Sequence, residues 1–324
     1  MPSKPRMIVT RGLPGALMER IATQFDAWVN PEDRTLSAEE LQRAVTAHRP
    51  EVMLVMAMDR IDAACIAALP DTVQVLATLS VGHDHIDLAA ARDRGIAVIH
   101  TPDILSDAVS EIAILLMLCA ARRAQEGERM IYDRTWAGWS PTQLLGRDVT
   151  GARLGVLGMG RIGRTIARRA AAAFDMPVHY HNRSRLAPEI EAGAQYHPAA
   201  EGLLAESDFL VLAAPSTPAT RGFLNAERLA LLPPGAIVVN IARGDLVDDD
   251  ALIAALRSGH VAAAGLDVFN GEPEIHPGYR DLPNVFLQPH QGSSTIGTRV
   301  RMGQMLLESV ATHLAGGALP NRLV

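Results

Sequence analysis

The segment Leu157–Arg164, reading LGMGRIGR, constrains this chain more than any other. It sets Gly158, Gly160 and Gly163 at the spacing G-x-G-x-x-G. The apolar run Leu154–Leu157 before it reads as a buried strand, and Ile162–Phe174 after it, rich in Ala and Arg, reads as a helix. Strand, tight turn and helix in that order predict a dinucleotide-binding turn. Gly158 lets the chain turn sharply, Gly160 lets backbone approach a pyrophosphate, and Gly163 lets the helix pack close to the strand. The N–H groups at the helix start, with the positive end of its dipole, then meet the phosphates. Three spaced glycines arise by chance in a chain holding 26 of them, so the context carries the argument.

A length of 324 residues suits two domains, and 48% hydrophobic residues supply sizeable cores. The formal net charge of -6 argues against nucleic-acid binding. Cys65 and Cys119 make no disulfide framework and read as buried, inert thiols in apolar helical patterns. Met1–Thr10 has no signal-peptide pattern, and the longest apolar run, Ile112–Ala121, falls short of the ~20 residues that cross a membrane. A soluble cytoplasmic protein is the expectation. No grouping of His, Cys and carboxylates has metal-ligand spacing, so no metal is expected.

The first part of the chain alternates strands (Met7–Thr10, Val52–Met56, Val75–Leu79, Ala97–Ile99) with helices. Ser37 and Glu40 form a capping-box pattern opening a helix that runs to about His48, and Asp87–Arg94 reads as a helix ended by Gly95. The strands lack polar alternation, which suits a parallel sheet covered on both faces. Thr101-Pro102 breaks the pattern. Asp107–Arg123 then reads as one long apolar helix, buried on most sides between domains or against another subunit. Gln125–Thr150, polar and holding Trp136 and Trp139, reads as an extended arm or loop. A second series follows, with strands at Val178–His181, Phe209–Ala213, Ile237–Asn240, Ala263–Leu266 and Val285–Leu287, a helix at Asp249–Arg257, a break at Gln288-Pro289 and a closing helix at Thr295–Ala315. The fold class is α/β, with two doubly wound parallel-sheet domains. A Rossmann-type cofactor domain, 103–289, is expected as an insertion in a flavodoxin-like substrate domain, 1–102 and 290–324, with ligands in the cleft at the strand ends.

Three stretches past predicted strands offer chemistry. NIARGD (Asn240–Asp245) holds Arg243, DVFNGEP (Asp267–Pro273) holds Glu272 and PHQGSS (Pro289–Ser294) holds His290. Singly, these read equally well as a surface ion-pair partner, a turn carboxylate and a satisfied interdomain histidine. Together, a cation, a carboxylate and an imidazole at three strand ends form a catalytic constellation.

With LSVGHDHID (Leu79–Asp87) and NIARGDLVDDDAL (Asn240–Leu252), these motifs make the chain resemble the D-isomer-specific 2-hydroxyacid dehydrogenase family over nearly its whole length. Its likeness is greatest to glyoxylate and hydroxypyruvate reductases, with 2-ketogluconate reductases nearby. The resemblance implies that Arg243, Glu272 and His290 are the catalytic set and that Val81 and Gly82 bind the substrate carboxylate through their N–H groups. It implies cofactor contacts from Gly158, Gly160, Arg161, Ile162, Pro215, Ile241, Ala242, Asp267 and Gly292. The apolar surface of the helix Asp107–Arg123, with the arm after it, predicts a homodimer, and the resemblance implies that Trp139, or else Trp136, reaches the neighbouring subunit's site or packs the interface. One departure is Gln291, where the family usually has an apolar residue before the glycine.

Charge then gives the expected roles. Arg243 attracts the carbonyl oxygen and carboxylate of a 2-keto acid, and His290 protonates that oxygen while Glu272 stabilises the imidazolium. Asn182 stands where NAD enzymes keep a carboxylate for the ribose 2′-hydroxyl, and Arg183 and Ser184 follow it. That loop favours the 2′-phosphate of NADP(H) over NAD(H). Alternatives are another D-2-hydroxyacid dehydrogenase, including 2-ketogluconate reductase, a formate or phosphite dehydrogenase, and a nucleotide-sensing corepressor. Nothing basic marks a docking surface for the last.

Overall fold

The computed structural model describes residues 3–324. The chain divides into two units, 1–105 with 293–324, and 106–292.

The smaller unit holds β1 (Arg6–Val9), β2 (Asp26–Val29), β3 (Val52–Val55), β4 (Val75–Thr78) and β5 (Ala97–Ile99), all parallel in the order β2-β1-β3-β4-β5. Every residue of β3 and β4 is buried, as their unbroken apolar runs require of a sheet covered on both faces. The capping box forms: Glu40 N donates to Ser37 Oγ at 3.2 Å and Ser37 N to Glu40 Oε2 at 2.8 Å, opening the helix Ala38–His48. Asp87 caps the helix Leu88–Asp93, and Gly95 beyond it has φ +68°. Thr295 caps the last helix, Ile296–Leu314, which packs so tightly on the helix Gly15–Gln24 that a Cβ on Gly303 would lie 2.2 Å from Leu17 Cδ1. The strand Asp26–Val29 and the helix Gly15–Gln24 carry weak periodic signals and are additions to the sequence reading.

The larger unit holds β6 (Leu154–Leu157), β7 (Val178–His181), β8 (Gln195–Tyr196), β9 (Phe209–Leu212), β10 (Ala236–Asn240), β11 (Val261–Leu266) and β12 (Val285–Leu287). All are parallel, in the order β12-β11-β10-β9-β6-β7-β8. The chain winds outward from β6 to β8 and then restarts on the other side of β6 with β9. The switch point of this sheet therefore lies between β6 and β9, where open α/β sheets bind ligands at the carboxyl ends. At the outer edge, His179 and His197 share a hydrogen bond, Nδ1 to Nε2, at 3.0 Å.

The long apolar helix runs Ser106–Ala121. Its face of Ala113, Leu116, Met117 and Ala120 is buried, and a Cβ on Gly265 of β11 would stand 2.7 Å from Leu116 Cβ. Only the stripe Asp107, Glu111 and Leu115 is exposed, with Leu115 at 41%, so the helix is buried on most sides as its apolar sequence predicts. The arm differs from expectation. Residues Ala124–Tyr132 form a helix with no buried residue, opened by a left-handed Arg123 that pairs with Glu126 at 2.7 Å. Its good helix formers, Ala, Gln, Glu, Arg and Met, outweigh Gly127, and its short apolar stripe, Ala124, Gly127, Met130 and Ile131, is not buried. Irregular chain follows, in which Trp136 is 53% and Trp139 83% exposed.

Candidate active site

The turn after β6 has the form its glycines predict. Gly158 has φ +95°, and a Cβ there would lie 2.6 Å from Ala214 N, beyond the end of β9. A Cβ on Gly163 would lie 2.3 Å from Gly158 O, so the helix Arg161–Phe174 seats against the turn only without one. Around Gly160 a Cβ would meet no heavy atom within 4 Å. No side chain caps that helix, and Arg161 and Ile162 form its first turn. An uncapped helix start, a close-packed glycine turn and open space at Gly160 fit a pyrophosphate.

Asn182 lies just past β7 and accepts a hydrogen bond from Met159 N at 2.7 Å, tying the strand end to the glycine turn. Arg183 and Ser184 are exposed and have no side-chain partner among the described residues. Arg185 differs: its guanidinium grips Glu191 at 2.8 and 3.0 Å, and Tyr180 Oη donates to the same carboxylate. Arg185, then Tyr180, hold the Glu191 carboxyl below its usual range. Beyond β9, Pro215 is exposed, and the neighbouring Ser216 Oγ donates to Asp245 Oδ2 at 2.6 Å.

Arg243 follows β10 in a loop shaped by one buried side chain. Asn240, 1% exposed, accepts from Ala242 N at 3.0 Å and donates to Arg243 O at 2.8 Å. Ile241 and Ala242 are buried, and Arg243 Nη1 donates to Ala242 O at 2.7 Å. Gly244 lies against the next motif, where a Cβ would be 1.9 Å from Phe269 C. Asn240 and Gly244 were not singled out from the sequence. Both belong to the NIARGD motif, which is their only sequence signal, because their effect depends on loops that fold together.

Glu272 and His290 meet directly. Phe269 N donates to Glu272 Oε1 at 2.7 Å, and Glu272 Oε2 lies 2.8 Å from His290 Nδ1. An ionised carboxylate only accepts, so Nδ1 carries the proton of that bond and Nε2 is left for chemistry. The His290 backbone is left-handed, φ +53°. Asp267 holds this turn through three successive N–H groups: His290 N to its carbonyl at 2.9 Å, Gln291 N to Oδ1 at 2.6 Å and Gly292 N to Oδ2 at 2.8 Å. Burial pushes the Asp267 carboxyl up to about 6, against the opposing pull of the Gln291 and Gly292 N–H groups and the His290 imidazole. Gly292 is buried beside it, and a Cβ there would be 3.3 Å from Asp267 Oδ2. Asn270 Nδ2 donates to Val247 O and Asp249 Oδ2, which fastens the Glu272 loop to the segment after Arg243. In the smaller unit, Val81 and Gly82 form the turn after β4. Among the described residues no group of three or more His, Cys, Asp or Glu is arranged to hold a metal ion. No described helix is long and apolar enough to cross a membrane.

Residues 114–292 match the family model described as D-isomer specific 2-hydroxyacid dehydrogenase, NAD binding domain. The glycerate dehydrogenase of Hyphomicrobium methylovorum is 42% identical over 98% of each chain. The solved structure of a D-isomer specific 2-hydroxyacid dehydrogenase from Polaromonas sp. superposes with a TM-score of 0.93 at 48% identity, covering 99% of this chain and all of that one. An NADPH-dependent glyoxylate/hydroxypyruvate reductase from Sinorhizobium meliloti, solved with NADP and malonate, gives a TM-score of 0.88 at 30% identity, covering 99% and 97%. The chain belongs to the D-isomer-specific 2-hydroxyacid dehydrogenase family. It is an oxidoreductase with the two parallel-sheet α/β units of that family.

Proposed function

We propose that this chain reduces small 2-keto acids, glyoxylate and hydroxypyruvate foremost, to D-2-hydroxy acids with NADPH. The observation that carries the reading is the Glu272–His290 pair, whose 2.8 Å bond fixes the imidazole with Nε2 available. The reductase names of relatives such as the Sinorhizobium meliloti protein support the substrate class.

A nicotinamide cofactor would supply the hydride, and the glycine turn of the larger unit would hold its pyrophosphate. The residues of the chain do the rest. Val81 and Gly82 take the substrate carboxylate. Arg243 attracts the carbonyl oxygen and stabilises the negative charge that grows on it during reduction. His290 Nε2 delivers a proton to that oxygen, and Glu272 stabilises the imidazolium before the transfer. In the oxidative direction the pair accepts the proton instead. Ile241, Ala242, Pro215, Asp267 and Gly292 would contact the cofactor.

NADPH is favoured over NADH because Asn182, Arg183 and Ser184 offer the 2′-phosphate a cation and a hydroxyl with no carboxylate to repel it. The protein acts as a homodimer. Ile131, Tyr132, Trp136, Trp139 and Leu145 are all exposed on or after the arm helix, an apolar patch that a second copy covers. Trp139 in this arrangement reaches the partner's substrate site.

Purified protein should oxidise NADPH steadily with glyoxylate or hydroxypyruvate, and do so at least about tenfold more efficiently than NADH. No turnover across a panel of 2-keto acids would overturn the reading. Light scattering should give about twice the chain mass of 34.7 kDa.

A further inference from the structure

Around the turn after β4, hydrogen bonds run in one direction. The carbonyl oxygens of Ser80, Val81 and Gly82 each accept one. Thr101 N donates to Ser80 O at 2.9 Å, His100 Nδ1 to Val81 O at 3.1 Å and Ser80 Oγ to Gly82 O at 2.6 Å. A carbonyl only accepts, so His100 carries a proton on Nδ1. Ser80 has one hydroxyl proton and gives it to Gly82 O. It therefore accepts from Thr78 Oγ1 at 2.7 Å. Thr78 has then used its own proton and accepts from His85 Nε2 at 2.9 Å. A polarised relay results, from His85 through Thr78 and Ser80 to the Gly82 carbonyl. Thr78 is fully buried and Ser80 is 7% exposed, so solvent does not compete for these bonds.

Each of those carbonyls shares a peptide plane with the N–H of the next residue. The three pinned peptides thus carry the N–H groups of Val81, Gly82 and His83. None of the three has an acceptor among the described residues. A hydrogen bond to a peptide oxygen fixes the plane and polarises it, which strengthens the N–H opposite as a donor.

We propose that His100, Ser80, Thr78 and His85 are positioning residues that build and polarise a carboxylate cradle of three successive N–H groups, on Val81, Gly82 and His83. The inference rests on the keto-acid reductase reading and deepens it. Resemblance alone assigns the carboxylate to Val81 and Gly82. The hydrogen-bond directions extend the cradle by one residue and identify the side chains that hold it.

The test separates substrate affinity from turnover at saturating NADPH. His100→Ala and Ser80→Ala should each raise the KM for glyoxylate and the inhibition constant of oxalate about tenfold, one hydrogen bond's worth. The kcat should stay within about threefold, and NADPH affinity should hold, because neither side chain touches the reacting atoms. His100→Asn, whose amide N–H can replace Nδ1–H, should recover most of the lost affinity. In wild-type protein, oxalate should move the amide proton resonances of Gly82 and His83 downfield, a readout that needs no variant to fold. Unchanged constants in folded variants, failure of His100→Asn to recover, or an unmoved His83 amide overturns the cradle alone if wild-type enzyme still binds oxalate. Wild-type protein that neither reduces glyoxylate nor binds oxalate overturns the functional reading and the cradle with it.

Discussion

After β6 the chain makes an N–H-lined turn by leaving side chains out, at Gly158, Gly160 and Gly163. After β4 it makes another by adding them, with Ser80 and His100 pinning the carbonyls from behind. The first device is steric: the atoms a Cβ would strike at Gly158 and Gly163 are backbone, which cannot swing aside. A side chain at either position strains the turn. The second is electrostatic and graded, since losing one donor leaves the turn in place with a weaker grip. The His290 turn combines both, with a left-handed residue held by three bonds to Asp267.

The largest effect is expected where chemistry sits on that mixed turn. His290→Ala should lower kcat ~100- to 10,000-fold while NADPH titration stays normal, because the imidazole moves a proton and does not hold cofactor. Near-normal turnover at neutral pH would remove His290 from the mechanism.

Gly163→Ala should come next. Its Cβ would press on Gly158 O, and overpacking against backbone costs roughly 1–3 kcal/mol. NADPH affinity should fall about thirtyfold and the melting temperature should drop with it. A variant that binds NADPH normally would show that the turn can breathe, and the contrast between steric and electrostatic cradles would collapse.

A tenfold effect is expected at Arg183. Arg183→Ala should remove most of the NADPH preference and leave NADH nearly untouched, measured as the ratio of kcat/KM values. Asn182→Asp should go further. Aspartate keeps the oxygen that accepts from Met159 N, so the turn survives, and adds a charge against the phosphate. Equal weakening of both cofactors would detach this loop from the 2′-phosphate.

The smallest effect belongs to Arg185, two residues on. Its guanidinium is already engaged by Glu191, so Arg185→Ala should change the NADPH:NADH ratio by less than about twofold while slightly lowering thermal stability. A tenfold shift in the ratio would move the assignment from Arg183 to Arg185.

Legibility in the sequence follows the same division. Gly158 to Gly163 could be read because steric need is written as residue type at fixed spacing. Buried strands such as Val52–Val55 and Phe209–Leu212 could be read because parallel sheets demand unbroken apolar runs. Arg243, Glu272 and His290 were legible as motifs, and the pairing of the last two was expected from the family resemblance; spacing alone does not give their 2.8 Å bond, since 18 residues separate them. Hidden for the same reason was His100, which pins a carbonyl 19 residues earlier, whereas Asn240 brackets its own loop through bonds that residue type alone does not announce. The arm helix Ala124–Tyr132 escaped because it is short, holds Gly127 and buries nothing, so its small apolar stripe does not stand out from a polar loop.

The paired imidazoles of His179 and His197 make the outer edge of the larger sheet an acid-labile seam. Burial, chiefly, lowers the proton affinity of both rings. In the unfolded chain each would take up a proton near its ordinary pKa of about 6.5. Folded, they resist it, so the unfolded state binds more protons once the pH drops below that value, and stability falls from there down through the lowered values. The short strand β8 is held by β7 alone and carries the chain directly into His197. Mild acid should therefore loosen this margin before the β9–β11 interior, visible as early amide exchange at Tyr196 and His197. Because β7, the neighbour of β8, runs straight into Asn182 and Arg183, the loop proposed to select the cofactor sits beside the margin that acid loosens first.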